Sequence, residues 1–387
     1  MGDTQKNKKP NVPNLRFPGF DGEWDKCELG DIADITKGAG ISKEQRSSEG
    51  TPCILYGELY TTYSTEIIDE VVSRTQLPAD GLVKSKANDV IIPASGETAI
   101  DISTARCVTK SNVFLGGDLN IIRLKGQDGR FFSYQLNGVR KKDIAKIAQG
   151  VSIVHLHGGD LKQIKVNYPS QLEQEKISAL LSLIDQRISI QNKVIEHYES
   201  LIRAIYHKAF SNATGTMINL GNLVQIKKGT QLNGENLLTI GRYYVMNGGI
   251  TPSGFYDSYN TPGEVISISE GGNSCGYVQY NASPFWSGGH CYSLLPKSQY
   301  KDATKYRYLY HYLKYHQNDI MAMRIGSGLP NIQKKDLERF QIILPEPLEQ
   351  ERYTTLFDAV ESILALEKDL LNKYLEKKTY LISQMFI

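Results

Sequence analysis

The chain has 387 residues, 40% hydrophobic and 22% charged, so wholesale disorder is excluded and about two or three domains are expected. Lys plus Arg number 44 and Asp plus Glu 42, a net charge of +2, which excludes a polycation; a nucleic-acid surface would have to gather its positive charge locally. No apolar run reaches the ~18 residues of a membrane span. The lysine-bearing start lacks a secretory apolar stretch, and the five cysteines (Cys27, Cys53, Cys107, Cys275 and Cys291) form no CxxC pair, so a reducing cytoplasm is expected.

In chain order, residues 1–23 read as an N-terminal extension and 24–168 as a first globular block. Within that block Asp89–Pro93 and Leu119–Leu124 have strand composition, and a helix is predicted over 130–147. A long helix follows within 169–212: residues 171–210 contain neither Pro nor Gly, and Ile177, Leu181, Ile184, Ile188, Ile195, Tyr198, Ile202 and Ile205 recur at helical steps. Residues 213–345 form a second block, with a strand over 264–268 and a helix over 303–321. A second long helix lies within 346–387, where residues 348–387 lack Pro and Gly and carry Phe357, Val360, Leu364, Leu371, Tyr374 and Leu381 on one stripe. About 40 residues at ~1.5 Å rise give ~60 Å per helix, longer than a small block needs. Packing the stripes together and offering leftover apolar face to a partner's helices is the natural way to bury them, and the stripe residues other than Ile205 are the partner-binding candidates.

The chain repeats itself. Pro169-Ser170-Gln171-Leu172-Glu173-Gln174-Glu175 returns 176 residues later as Pro345-Glu346-Pro347-Leu348-Glu349-Gln350-Glu351, and Gly150 to Phe210 aligns with Gly326 to Phe386 without a gap. Upstream, Leu29-Gly30 to Lys37-Gly38 is echoed by Leu220-Gly221 to Lys228-Gly229, and Gly116-Gly117 by Gly288-Gly289. The expected fold class is therefore α+β: two repeated mixed α/β, β-rich blocks joined by two long helices.

Catalytic motifs are missing. The chain contains no GxGxxG, no GxxxxGK[ST] and no HExxH. His155 and His157 have a conceivable metal spacing, but their repeat counterparts Asn331 and Gln333 cannot replace them, and no metal site is expected. Asp160 and Asp336 read as residues near short-helix starts.

Positive charge, in contrast, is clustered. Residues 123–165 hold nine basic and three acidic side chains, and 297–339 hold nine and four, the latter interleaved with tyrosines. Equivalent basic stretches in both copies suit two phosphate-contacting surfaces, with Lys141, Lys142, Lys334 and Lys335 assigned to phosphates. Glycine-rich polar loops add readers of base edges, with Arg242, Asn247 and His290 assigned that role. Lys37, Lys43, Ser95, Arg106, Gln149, Lys227, Lys228 and Arg324 complete the candidate DNA contacts.

The opening Asn11-Val12-Pro13-Asn14-Leu15-Arg16-Phe17-Pro18-Gly19-Phe20, the Leu29-Gly30 start and the twice-used Pro-x-x-x-Glu-Gln-Glu resemble the specificity subunit of type I restriction-modification systems across essentially the whole chain. The resemblance implies two target-recognition domains, each reading half of a bipartite DNA site. It also implies two long antiparallel helices that set the spacer and dock two methyltransferase subunits, with restriction/translocase subunits joining. Such a subunit has no active site; S-adenosylmethionine, Mg2+ and ATP would be bound by the partner subunits. The second copy carries a Pro330-Asn331-Ile332 step, where the first has Val154-His155-Leu156. Two other classes stay open: a non-catalytic scaffold without DNA contact, and a stand-alone enzyme.

Overall fold

Two prolines and two glutamines set where the long helices begin. Proline is tolerated in the first turn, where the backbone N–H has no intrahelical partner. The helices run Gln171–Phe210 and Pro347–Met385. At each start a buried glutamine of the repeated motif reaches back to a proline carbonyl: Gln174 Nε2 donates to Pro169 at 2.8 Å and Gln350 Nε2 to Pro345 at 2.7 Å. The computed structural model describes residues 10–211, 213–300, 302–326 and 328–387. Residues 1–9 of the N-terminal extension, Lys301 and the Lys305 side chain lie outside the described set.

The chain divides into two units, residues 1–192 with 369–387, and residues 193–368, so each unit takes half of each long helix. In the first, a five-stranded sheet has the order Ala33–Lys37, Leu119–Leu124, Asp89–Pro93, Arg106–Val108, Ile67–Ile68. The central strand, Asp89–Pro93, is buried throughout. A second five-stranded sheet contains Thr51–Ile54 and Phe114–Leu115. The other unit has a four-stranded antiparallel sheet in the order Val224–Lys228, Cys291–Pro296, Val265–Ser269, Val278–Asn281, and a three-stranded sheet around Tyr243–Met246. The strand predicted over 264–268 starts one residue later, because Glu264 has a φ of +59°.

Each predicted block helix is broken in two. The first is Gly129–Asn137 followed by Lys141–Ile147, ended at Gly138, where a Cβ would come within 2.3 Å of Ile382. The second is Ala303–Tyr315 followed by Gln317–Ala322, broken at His316. Asp160 and Asp336 sit in the first turns of the short helices Gly158–Leu161 and Lys334–Glu338.

The helix stripes named from the sequence turn inward. Ile177, Leu181, Ile184 and Leu381 belong to the core of the first unit, and Phe357 to that of the second. Ile195 and Val360 are also buried, while Ile188, Tyr198, Ile202, Leu364, Leu371 and Tyr374 are half-buried. Ile177, Leu181, Ile184, Leu381 and Phe357, read from the sequence as partner-binding, pack into the blocks instead: a block-facing stripe is the one most strongly amphipathic, so periodicity finds it first. A different apolar set is exposed on the helices, including Leu183, Ile190, Leu366, Leu370, Leu375 and Tyr380.

Buried polar clusters fasten helices to blocks. In the first unit Lys378 Nζ lies 2.7 Å from Asp185 and 2.5 Å from Glu66, and the Tyr134 hydroxyl donates to Asp185 at 2.6 Å. Burial, then repulsion from Glu66, raises the Asp185 carboxyl, with Lys378 opposing. In the second unit the Tyr206 hydroxyl donates to Glu361 (2.8 Å) and meets His311 Nδ1 at 2.8 Å. There Glu199 pairs with Lys368 while Tyr206 packs on Phe357, so the two helix halves run antiparallel.

Gln174 also bridges to the block, accepting from the Asp128 backbone N–H at 3.0 Å and donating to Gln127 at 2.6 Å. Leaving a buried polar group unpaired costs about 1–3 kcal/mol. Gln174→Leu should therefore destabilise the chain more than Gln350→Leu, which removes one such bond. Denaturant unfolding of the two variants checks this; equal losses would contradict it.

Candidate nucleic-acid interface

The two units build their loop clusters on one framework. In the first, Lys37 ends its strand opposite Asn120, and Asn120 also faces Ile92. In the second, Lys228 ends its strand opposite Tyr292, and Tyr292 faces Ile268. Two residues beyond Ile92 and Ile268 the carbonyls of Ala94 and Glu270 accept from the Leu156 and Ile332 N–H groups, both at 2.9 Å. Next, Ser95 pairs with His155, and Gly271 with Asn331. Gln149 and Ile325 bridge to those same residues, His155 and Asn331, from the other side. The Val154-His155-Leu156 and Pro330-Asn331-Ile332 steps thus occupy the same place in the two ladders.

Glycines close the framework. A Cβ on Gly38 would lie 2.0 Å from the Gly116 carbonyl, and one on Gly229 would lie 2.2 Å from that of Gly288. These glycines serve loop-to-loop approach within the protein. Gly248, at φ +84°, is held by Ser269 and Ser274, whose hydroxyls donate to its carbonyl at 2.6 and 2.5 Å.

In the second unit the loops enclose a cavity of about 490 Å³ whose wall includes Lys228, Asn247, Glu270, Ser274, His290 and Asn331. Three of the sequence candidates, Lys228, Asn247 and His290, meet there. Lys228 is not a free cation: its Nζ lies 2.5 Å from Glu270 Oε1, and His290 Nδ1 is 3.4 Å from Glu270 Oε2. The Asn247 amide is oriented by the His290 backbone N–H, which donates to its Oδ1 at 3.3 Å. The buried Tyr292 phenol beneath is pushed up to about 12 by burial and by the Glu270 carboxylate.

Other candidates scatter. Lys37, Lys43, Lys142, Lys227, Arg324 and Lys335 are exposed. Gln149 is exposed, 3.4 Å from Asp160. Lys334 is exposed and pairs with Glu338 one turn on at 3.6 Å, and Arg242 lies 5.3 Å over the Tyr243 ring. Three assignments are corrected by burial. Arg106 is 8% exposed and donates to the Leu59 and Tyr63 carbonyls, tying a loop to the sheet. Ser95 is buried in its two-residue ladder. Lys141 is half-buried beside Thr104, and burial lowers its ammonium pKa, so it is a poorer phosphate contact than Lys142.

The clustered basic stretches also spend charge internally. Arg123 pairs with Asp89, Arg130 with Asp128, and Arg307 with Asp358. Burial drives the Lys314 ammonium down to about 8. Among the described residues, His311, Asp358 and Glu361 are close enough to share a cation. The Arg307 guanidinium already lies against Asp358 and 3.8 Å from Glu361. Burial alone would raise the Asp358 carboxyl, but hydrogen bonds from His311 and Arg307 outweigh it and hold it at about 2. The cluster is a closed ion-pair network. His155 and His157 stack with ring centres 6.4 Å apart and are exposed.

A family model described as the type I restriction modification DNA specificity domain matches residues 21–199 and again 214–376. The chain belongs to this family. Specificity subunits are non-catalytic; enzymatic activities reside on other subunits. A putative type I specificity subunit of Mycoplasma genitalium is 28% identical over 330 residues, covering 81% of this chain and 80% of the relative. Another, from Mycoplasma pneumoniae, is 22% identical, covering 80% and 81%. Among solved structures, the S subunit of a type I restriction-modification system from M. genitalium superimposes with a TM-score of 0.72 at 22% identity, covering 97% of this chain and 99% of that one. A chain from a study of type I complex assembly and conformational transition gives 0.55 at 16% identity, with the same coverages. The match across both repeats agrees with the fold class read from the sequence, α+β with long helices.

Proposed function

We propose that this protein is the DNA-recognition subunit of a type I restriction-modification complex, with each unit reading one half of a bipartite target. One observation carries the reading: the two units share a strand-and-loop framework down to its pairing register, with Lys37 and Lys228 at matching strand ends, yet place different side chains further along it, Ala94 and His155 against Glu270 and Asn331. One frame with exchanged side chains suits two readers of different sequences. The exposed Lys142 and Lys335, with Lys334, serve as phosphate contacts; Arg242, Asn247 and His290 face base edges.

The long helices set the unread spacer, each ~60 Å long for 40 and 39 residues. Their exposed apolar residues dock two methyltransferase subunits, and restriction/translocase subunits complete the assembly. S-adenosylmethionine, Mg2+ and ATP belong to those partners, in the cytoplasm. No helix among the described residues is long and apolar enough to cross a membrane.

Phosphate contacts position without discriminating. Changing Lys334 and Lys335 to Gln should weaken cognate and scrambled duplex alike and reduce the slope of log affinity against log salt by ~0.9 per lost contact. Salt-titrated binding of the assembled methyltransferase checks this, and loss of discrimination alone would reverse the assignment. Changing Ile190 and Leu366, 55% and 69% exposed, to Asp should abolish co-purification with the methyltransferase subunit without shifting the melting temperature of the isolated chain. Undiminished co-purification would show that the docking face lies elsewhere.

A further inference from the structure

Glu270 is a buried carboxylate on a surface where a negative charge is least expected. It is 9% exposed and lines the second unit's cavity beside Asn247 and Asn331. Its main chain is fixed on both sides, its N–H donating to the His290 carbonyl and its carbonyl accepting from the Ile332 N–H, each at 2.9 Å. Its carboxylate is fixed too, by Lys228 at 2.5 Å and His290 at 3.4 Å. Burying a carboxylate is unfavourable unless it is paired, and these two side chains supply the pairing.

The framework does not require this residue. At the same ladder position the first unit has Ala94, with the same hydrogen bond to its carbonyl from the following segment. The carboxylate is therefore an addition peculiar to the second unit. It would repel phosphate, so it is not a backbone contact. An ionised carboxylate only accepts hydrogen bonds, at about four lone-pair positions; Lys228 uses one, and His290 Nδ1 lies 3.4 Å from the other oxygen. On the major-groove edges of base pairs the donors are the exocyclic amino groups of cytosine and adenine.

We propose that Glu270 reads the exocyclic amino group of one cytosine or adenine in the half-site bound by the second unit, and that Ala94 leaves the first unit without such a reader. Lys228 acts as a positioning residue that holds the carboxylate in line, and His290, itself facing base edges, flanks it through Nδ1. The inference rests on the DNA-reading function proposed above.

The test uses the assembled methyltransferase with the wild-type chain, Glu270→Ala and Glu270→Gln. The cognate duplex is varied one base at a time, with purine replacing each adenine and 2-pyrimidinone each cytosine, which removes single amino groups. One position in the second half-site should cost the wild-type complex about tenfold in affinity. At that position Glu270→Ala should be insensitive, and positions in the first half-site should affect both proteins alike. Whether the sensitive base is adenine or cytosine identifies the amino group. Glu270→Gln preserves side-chain size, so it carries the comparison if the alanine variant is destabilised. If wild type binds the cognate duplex but no amino group in the second half-site distinguishes it from both variants, Glu270 is only a tether for Lys228 and His290, and the proposal fails while DNA reading stands. If wild type shows no preference for the cognate duplex, both readings fall.

Discussion

The loop clusters depend on one steric constraint: a strand end must pass a glycine pair at backbone contact distance. Gly38 does so against Gly116, and Gly229 against Gly288, where any Cβ would overlap a carbonyl oxygen. That approach permits the hydrogen bonds that follow, from the Ala39 N–H to Leu115 and from the Thr230 N–H to Ser287. It places Lys37 and Lys228 at corresponding strand ends and lets a later segment add its short ladder through His155 or Asn331. A substitution at either glycine would disturb the frame on which the side chains of that unit are displayed.

A second constraint concerns the long helices. Asp185 and Glu361 are 176 positions apart, the spacing of the repeat, and each accepts from a buried tyrosine. The rest of each network differs: Lys378 and Glu66 complete the first, His311, Asp358 and Arg307 the second. Breaking a buried charge network strands its remaining members, whereas an apolar contact can slide. Each helix half is thereby tied to its own block in one register, and Leu183, Ile190, Leu366 and Leu370 on the two helices remain exposed.

Much of this was legible in the sequence because it was written twice. The repeated Pro-x-x-x-Glu-Gln-Glu located both helix starts, and the structure explains its glutamine through the bonds to Pro169 and Pro345. The Lys-Gly and Gly-Gly echoes marked the framework, although their role is internal contact. Side-chain availability was less legible. Arg106 and Lys141 look like surface cations in a charge count, but their burial depends on segments distant in sequence, residues 59–63 and Thr104. Glu270 carried no signal of its own; its meaning appears only when ladder register sets it against Ala94.

One framework, used twice, would read two separate pieces of DNA sequence. Methylation mapping of a host genome carrying this chain with its methyltransferase partner tests that most directly. The expected result is a bipartite motif, two specified half-sites separated by a fixed number of unspecified base pairs. A single uninterrupted motif, or methylation without sequence preference, would contradict it.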